Sequence, residues 1–360
     1  MRVFFILPDL AAGGAERVSI TIARLLKKNG YDVEFINFGC NKGDVLSWIV
    51  PEFKLTSFGY SRVLKALPKL KAFMKDHPDA TFFSSREHTN LVGLLAAKMT
   101  HGRIIVRIPN MPNNKLVHGL TGVKMWVVKT INKWLFPTAS MVIAQNKEMR
   151  KQLLSYYSLP ENKVVAINNP VDKDYALKSA EGSKSPYNDG EEVFLAACTI
   201  DYRKGIDVLI DAWPKVKKQV NNAHLYIIGR DTSVYAEEMK KKASVYNDIT
   251  FLGFQTNPYP YLKYCDVFVL SSRMEGFPNV VLEAMCFNKP VACTTCLDVI
   301  NEIIRPGVNG YTCGIEDSEA LANIMVKAAQ LKNIHNQYDL FDQQELINCF
   351  QNNDKTSNIK

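Results

Sequence analysis

The chain has 360 residues, 47% hydrophobic and 22% charged, a globular balance whose length favours two domains over one. No apolar run reaches the roughly 18 to 20 residues of a bilayer-spanning helix, so a membrane-spanning protein is not expected. The net charge of +8 is uneven: residues 1–171 carry 24 Lys and Arg against 11 Asp and Glu, or +13, and residues 172–360 carry 20 against 25, or −5. A basic half beside an acidic one fits an anionic partner (nucleic acid, a membrane surface or a phosphorylated lipid), with a merely solvated basic face as the alternative.

The first element is "RVFFIL", a buried strand. Its five-residue apolar run before Pro8 and Asp9 is shorter than the apolar centre of a signal peptide. "GGAERVSITIARLLKKNG" follows as an amphipathic helix ended by Gly30. "YDVEFINFG", "ATFFSSR", "RIIVRIPN" and "SMVIAQ" read as further strands with helical segments between them. Such alternation predicts a mostly parallel, doubly wound sheet. The stretch from Ser158 to Glu192, rich in Pro, Asn, Asp, Ser and Gly, breaks the rhythm and marks a domain boundary. The alternation then restarts with "EVFLAACTI", "IDVLIDAWPKVKKQ", "AHLYIIG", "ITFLG", "DVFVLSS", "PVACTT" and a helix at "SEALANIMVKAAQL". The expected organisation is an α/β domain over 1–171, a linker over 172–190, a second α/β domain over 191–332, and a polar helix or tail over 333–360.

Eight cysteines are scattered along the chain, and only Cys293 and Cys296 form a C-x-x-C. Without a second pair or a His cluster this spacing does not predict zinc; reduced thiols in a cytosolic protein are expected.

Open parallel sheets bind ligands at the carboxyl ends of their strands. Two such domains joined by linkers would face one another across a cleft, and three unusual loops fall at strand ends. After the first strand, Gly13 and Gly14 allow a tight turn at the start of a helix whose N–H groups favour anions. The pattern is neither G-x-G-x-x-G nor a P-loop. After the first strand of the second half, Arg203 and Lys204 precede Gly205 and a helix, a placement suited to a diphosphate. The third loop, Glu275-Gly276-Phe277-Pro278, ends at Asn279, read as the cap of a helix starting at Val280 with Glu283 about one turn in. Free N–H groups near residues 279–281 would suit a phosphate. Carboxylates are repelled by phosphate, so Glu275 and Glu283 are matched to hydroxyl groups instead. A ligand with hydroxyls at two places and phosphate between them is a nucleotide sugar.

The stretch "EGFPNVVLEAM", with Glu275 and Glu283 separated by seven residues, resembles the retaining GT-B glycosyltransferases of family 4. "GGAER", "VVAINNPVD", "RKGIDVLIDAW", "ITFLGF", "YCDVFVLSSRMEGFPNVVLEAM" and "KPVACTTCLDVINEII" continue the resemblance in order over roughly residues 1 to 315. It implies a GT-B fold of two Rossmann-like domains, a UDP-sugar donor and no strict metal or cofactor requirement. By the same resemblance Glu275 contacts hydroxyls of the donor sugar, Glu283 the ribose, and Lys204 the diphosphate. Gly13, Gly14 and the backbone of Gly276, Phe277, Asn279 and Val280 line the donor, and the base rests near Gly229 and Phe254. The two carboxylates are then a clamp on two sugars. The sequence departs from the family where Cys198-Thr199-Ile200 replaces the usual G-R-L, leaving Arg203 as a substitute cation. Around the acceptor, His88, Arg107 and Asn110 are the candidates.

Lys115, Lys124, Lys129 and Lys133 stand among Val, Met and two Trp in "NNKLVHGLTGVKMWVVKTINKWLF". This pattern suits an anionic membrane interface, or else a helix packing Met125, Val128 and Trp134 inward. A lipid-linked or oligosaccharide acceptor at the inner face of the cytoplasmic membrane is expected, in the assembly of O-antigen or capsule. The rival readings are a nucleotide-sugar epimerase of GT-B architecture, an inactive sugar-nucleotide-binding relative suggested by Thr199, and a nucleic-acid-binding module. The last lacks aromatic recognition motifs, so no nucleic-acid partner is expected.

Overall fold

The structure, a computed structural model, describes residues 1–351 apart from 12, 41, 42, 44, 45, 50 and 111–129. The expectations for Lys115, Lys124, Met125, Val128 and Lys129 therefore fall outside the described residues. The chain divides into two compact units, one of residues 1–170 with the segment from 341 onward, the other of residues 171–340.

The first unit is built on β1 (Arg2–Leu7), β2 (Asp32–Asn37), β3 (Lys54–Ser57), β4 (Thr81–Ser84), β5 (Arg103–Arg107), β6 (Met141–Ala144) and β7 (Val164–Ala166). They form one sheet in the order β3-β2-β1-β4-β5-β6-β7, every neighbour parallel. Successive side chains of a strand point to opposite faces, and both faces here are buried. Phe4 and Ile6 join Phe82, Ile104 and Val106 in one core; Val3, Phe5 and Leu7 join Phe35, Phe83 and Ile105 in the other. This is why the strands read as continuous apolar runs. The helix Gly14–Lys28 buries Val18, Ile22 and Leu26, spaced four apart along one face.

The chain end belongs to the first unit. Asp342 caps the helix Gln343–Phe350, accepting from the Glu345 N–H at 2.8 Å. Phe350 is fully buried with its ring 5.8 Å from Phe83 and 6.4 Å from Tyr31. The Arg103 guanidinium donates to the carbonyls of Cys349 and Gln351, both at 2.9 Å, and so satisfies acceptors at the helix end.

The second unit is built on β8 (Glu192–Ala197), β9 (Ala223–Ile228), β10 (Ile249–Gly253), β11 (Val267–Leu270), β12 (Val291–Thr294) and β13 (Gly310–Cys313). Its sheet order is β10-β9-β8-β11-β12-β13, again all parallel. Phe194 and Val267 face a core that holds Trp213, while Leu195 and Phe268 face a second one. The Trp213 Nε1–H donates to Asp248 at 2.8 Å, so the largest buried side chain leaves no polar atom unpaired.

Residues 172–190, expected as a linker, carry a helix, Lys173–Ser179, capped by Asp172. They put Ala176, Ala180 and Tyr187 into the core of the second unit, where the Tyr187 hydroxyl donates to the Tyr261 carbonyl at 2.9 Å. The polar composition hid three well-spaced anchors. All eight cysteines are free thiols. Among the described residues no helix is long and apolar enough to cross a membrane.

Candidate functional site

In each sheet the strand order reverses once: between β1 and β4 in the first unit, and between β8 and β11 in the second. At such a point the loops leaving the two adjacent strands diverge to opposite faces, which opens a crevice at their carboxyl ends. In the second unit, the loops so placed are 198–205 and 271–278, the ones carrying Lys204 and Glu275.

These loops are bound to one another. Gly205 adopts φ +61°, and a Cβ there would lie 2.1 Å from the Ser271 carbonyl oxygen, so this contact requires glycine. The Ser271 hydroxyl donates to the Lys204 carbonyl at 2.8 Å, and the Arg273 N–H donates to the Arg203 carbonyl at 2.8 Å. The Lys204 Nζ reaches both Glu275 carboxylate oxygens, at 2.7 and 2.8 Å, with side chains 18% and 11% exposed. The Ser272 hydroxyl donates to Glu275 Oε1 at 2.7 Å, and the Thr294 hydroxyl fixes the Ser272 carbonyl at 2.6 Å. Burial opposes the Lys204 charge, but the facing Glu275 carboxylate outweighs it and holds the ammonium above its ordinary range. The ammonium is thus presented in charged form beside the Glu275 side chain. Cys198 and Cys296 lie within electrostatic reach of the pair; burial pushes both thiols up to about 12, so they are neutral bystanders.

Other predicted positions stand differently. The Arg203 guanidinium turns back on Asp201 of its own loop, at 3.1 and 2.6 Å. Asn279 is the first residue of the helix Asn279–Met285, preceded by Pro278, and not its cap. The N–H groups of Asn279 and Val281 donate to the carbonyls of Phe277 and Pro278, at 2.9 and 3.0 Å, so the helix start offers fewer free donors than the sequence predicts. Glu283 is buried in that helix, and the Phe277 side chain is in the core, which leaves its backbone as the part a ligand could meet. Val280 is half-buried against the same core, and Gly276 is half-buried in the loop.

Gly229 follows β9 with φ +139°, and a Cβ there would sit 1.7 Å from the Cys198 carbonyl oxygen. Glycine is thus required for β9 to leave the sheet beside the Cys198 loop. Its N–H donates to the Gly253 carbonyl at 2.8 Å. Just beyond Gly253, Phe254 is 40% exposed, with the Arg230 guanidinium 5.1 Å from its ring centre.

In the first unit, Gly13 precedes the helix that Gly14 opens. A Cβ on Gly13 would lie 2.5 Å from the Glu16 carboxylate, so glycine here makes room for that buried side chain. Glu16, with a fully buried side chain, accepts from Arg86 at 2.6 and 2.9 Å. His88 is exposed at the start of the helix Glu87–Thr100, and Asn110 approaches Glu87 at 3.5 Å. Arg107, the remaining acceptor candidate, is turned into the fold. It is 2% exposed, donates to the Ser85 hydroxyl at 2.9 Å and to the Asn169 side chain, and burial lowers its guanidinium to about 9, opposed by the Glu16 carboxylate. Its reach ends inside the fold, where it ties β5 to the loops after β4 and β7.

Sequence reading missed Ser272, Arg273, Asp207 and the Glu16–Arg86 pair. Ser272 and Arg273 lie inside the very stretch that carries Glu275, but a serine and an arginine at a strand end give no periodic signal. Glu16 and Arg86 are separated by 70 residues, which only the pairing of β1 with β4 brings together.

Two parallel α/β units, each with one reversal of strand order, make up the GT-B fold. The chain belongs to the glycosyltransferases: residues 12–175 match the model of Glycosyltransferase Family 4 and residues 191–330 that of Glycosyl transferases group 1. An uncharacterized glycosyltransferase of Methanocaldococcus jannaschii is 30% identical over 202 residues, 55% of this chain and 50% of that protein. A Campylobacter jejuni protein named N-acetylgalactosamine-N,N'-diacetylbacillosaminyl-diphospho-undecaprenol 4-alpha-N-acetylgalactosaminyltransferase is 24% identical over 79% of this chain and 78% of its own length. Among solved structures, Anabaena HepE in complex with UDP-glucose superposes with a TM-score of 0.73 at 17% identity, covering 92% of this chain and 90% of that one.

Proposed function

We propose that the protein transfers a hexosyl or N-acetylhexosaminyl group from a UDP-sugar to a lipid-linked saccharide, with retention of the anomeric configuration, during surface-polysaccharide assembly. The observation that carries this reading is the Lys204–Glu275 pair at the reversal of the second sheet, a cation and a carboxylate side by side. A donor has complementary groups in the same order: a diphosphate for Lys204 and sugar hydroxyls for Glu275. Glu283 is assigned to the ribose, and the turn at Gly229 and Phe254 to the base. The donor-bound HepE structure and the diphospho-undecaprenol in the name of the Campylobacter relative support the choice of UDP-sugar and of a lipid-linked acceptor.

In this reading the anomeric carbon acquires oxocarbenium character as the bond to the diphosphate breaks. Lys204 stabilises the charge left on the diphosphate, and Glu275 fixes the ring through its hydroxyls, so the residues contribute orientation and electrostatics. The incoming hydroxyl gives its proton to the departing phosphate oxygen on the same face. The positive charge comes from Lys204, and transfer is expected to survive chelation of divalent ions.

Attachment to the cytoplasmic leaflet belongs to the same proposal. Trp134 is 56% exposed, with Lys98 Nζ 4.4 Å above its ring and Met99, Ile131 and Lys133 exposed nearby in sequence. An amphipathic ring beside cations suits an anionic headgroup region.

The test begins with thermal stabilisation by a panel of nucleotide sugars, followed by UDP release with lipid-diphosphate saccharides. Stabilisation by a UDP-sugar and acceptor-dependent UDP release are expected, the release being lost in Glu275→Gln. UDP release that ignores the acceptor would favour the epimerase or hydrolase reading. Silence from every nucleotide would remove the donor assignment.

A further inference from the structure

Arg273 stands two residues before Glu275 and makes contacts that donor binding alone does not explain. Its side chain is 8% exposed. All five guanidinium N–H groups are engaged. Nη1 donates to the Tyr202 carbonyl and to Asp207 Oδ1, both at 2.8 Å; Nη2 donates to Asp207 Oδ2 at 2.7 Å and to Glu316 Oε2 at 2.9 Å; Nε donates to Glu316 Oε1 at 2.5 Å. The guanidinium also lies 4.1 Å from the centre of the Tyr202 ring. Only a planar fork can serve two carboxylates bidentately and a carbonyl at once.

The partners come from three places in the chain. Tyr202 is in the turn that ends with Lys204, and Asp207 is in the first turn of the helix Ile206–Gln219. Glu316 follows β13 and holds φ +62°, an uncommon conformation for a side-chain-bearing residue. The Tyr235 hydroxyl donates to Asp207 Oδ1 at 2.6 Å and steadies the far side of the fork. Arg273 therefore fastens the Lys204 loop to the Glu275 loop from behind. On the front of the same two loops, Lys204 meets Glu275.

We propose that Arg273 is a positioning residue for the donor diphosphate, holding the Lys204 loop at its spacing from the Glu275 loop and acting on the ligand through Lys204. The inference rests on the assignment of Lys204 to the diphosphate. Arg273 itself has no N–H group left to give a ligand.

The test is calorimetric titration of the full chain with UDP, for the native sequence, Lys204→Ala, Arg273→Met and the double variant. Residues that act through one contact give non-additive changes. Arg273→Met is expected to weaken UDP by roughly tenfold, and the double variant to bind no worse than Lys204→Ala alone. A loss of packing with no link to Lys204 would instead add to the Lys204→Ala effect, and additivity overturns the inference. So does native affinity in Arg273→Met. Native affinity in Lys204→Ala removes the diphosphate assignment itself and this inference with it, and is thereby distinguished from a failure at Arg273 alone. Arg273→Lys keeps the charge but cannot span Asp207, Glu316 and the Tyr202 carbonyl together. It provides the same comparison should the methionine variant fold poorly: reduced UDP affinity with additivity lost supports the role, and native affinity overturns it.

Discussion

Replacing Glu275 by alanine leaves Lys204 facing an apolar side chain in a place built for a carboxylate. Breaking a buried ion pair by removing one partner costs about 3–5 kcal/mol, because the remaining charge is left desolvated. Here the two side chains retain 18% and 11% exposure, and water can reach Lys204 in part, so the expected cost is roughly 2–3 kcal/mol. In a unit of 170 residues, spanning 171–340, each kcal/mol lowers the melting midpoint by roughly 2–4 °C. A fall of about 4–12 °C is therefore expected in the transition of the second unit. The same vacancy makes a sharper prediction. A diphosphate that takes the place of the carboxylate relieves the stranded ammonium, so UDP is expected to raise the midpoint more in Glu275→Ala than in the native protein, while sugar transfer is lost. Differential scanning calorimetry with and without UDP reads both effects. The Lys204 charge is held above its ordinary value of 10.5. Its contribution is thus fully present below that value and is lost only as pH rises through the raised one, so the penalty is expected to be constant across the neutral range. An unchanged midpoint, or a UDP shift no larger than that of the native chain, refutes the reasoning.

Other expectations concern the frame around this pair. Phe350→Ala empties a fully buried site beside Phe83 and Tyr31 and is expected to cost about 3–5 kcal/mol in the first unit, measured by denaturant unfolding; a loss under about 1 kcal/mol would mean that the terminal helix is not part of that core. For Asp207, burial pushes the carboxyl up, but hydrogen bonds from Arg273 and Tyr235 and the Arg273 charge outweigh it and hold the group at about 2, against an ordinary 3.8. The stabilisation this provides is present above 3.8 and fades as pH falls toward 2; Asp207→Asn is expected to flatten acid unfolding in that window, and an unaltered acid profile would contradict it. Gly229→Ala forces a methyl group to within 1.7 Å of the Cys198 carbonyl oxygen. It is expected to displace the turn between β9 and the Cys198 loop and to abolish UDP binding in a calorimetric titration, and full affinity would separate that turn from the nucleotide.

Much of this molecule follows from local chemistry. Runs such as Val3–Leu7 and Val267–Leu270 are strands because each residue is apolar enough for burial on either face, and the helix Ile206–Gln219 begins and ends at the residues its periodicity predicts. The edge strands β3, β7 and β13 escaped sequence reading, since "KLTS", "VVA" and "GYTC" are too short to show a period. In the polar stretch 172–190, three anchors, Ala176, Ala180 and Tyr187, are enough to hold a hydrophilic segment against a core, and composition alone does not reveal them.

By itself the sequence determined two parallel α/β halves and singled out Lys204, Glu275 and Glu283, the residues on which the proposed donor site rests. Tertiary structure alone decided which charges face which. It set Lys204 against Glu275, turned Arg203 onto Asp201, sank Arg107 into the first unit and made Arg273 the tie between two loops. The reason is physical. Backbone period and composition act over a few residues, whereas a charge finds its partner only after the sheet order has brought strands 70 residues apart side by side.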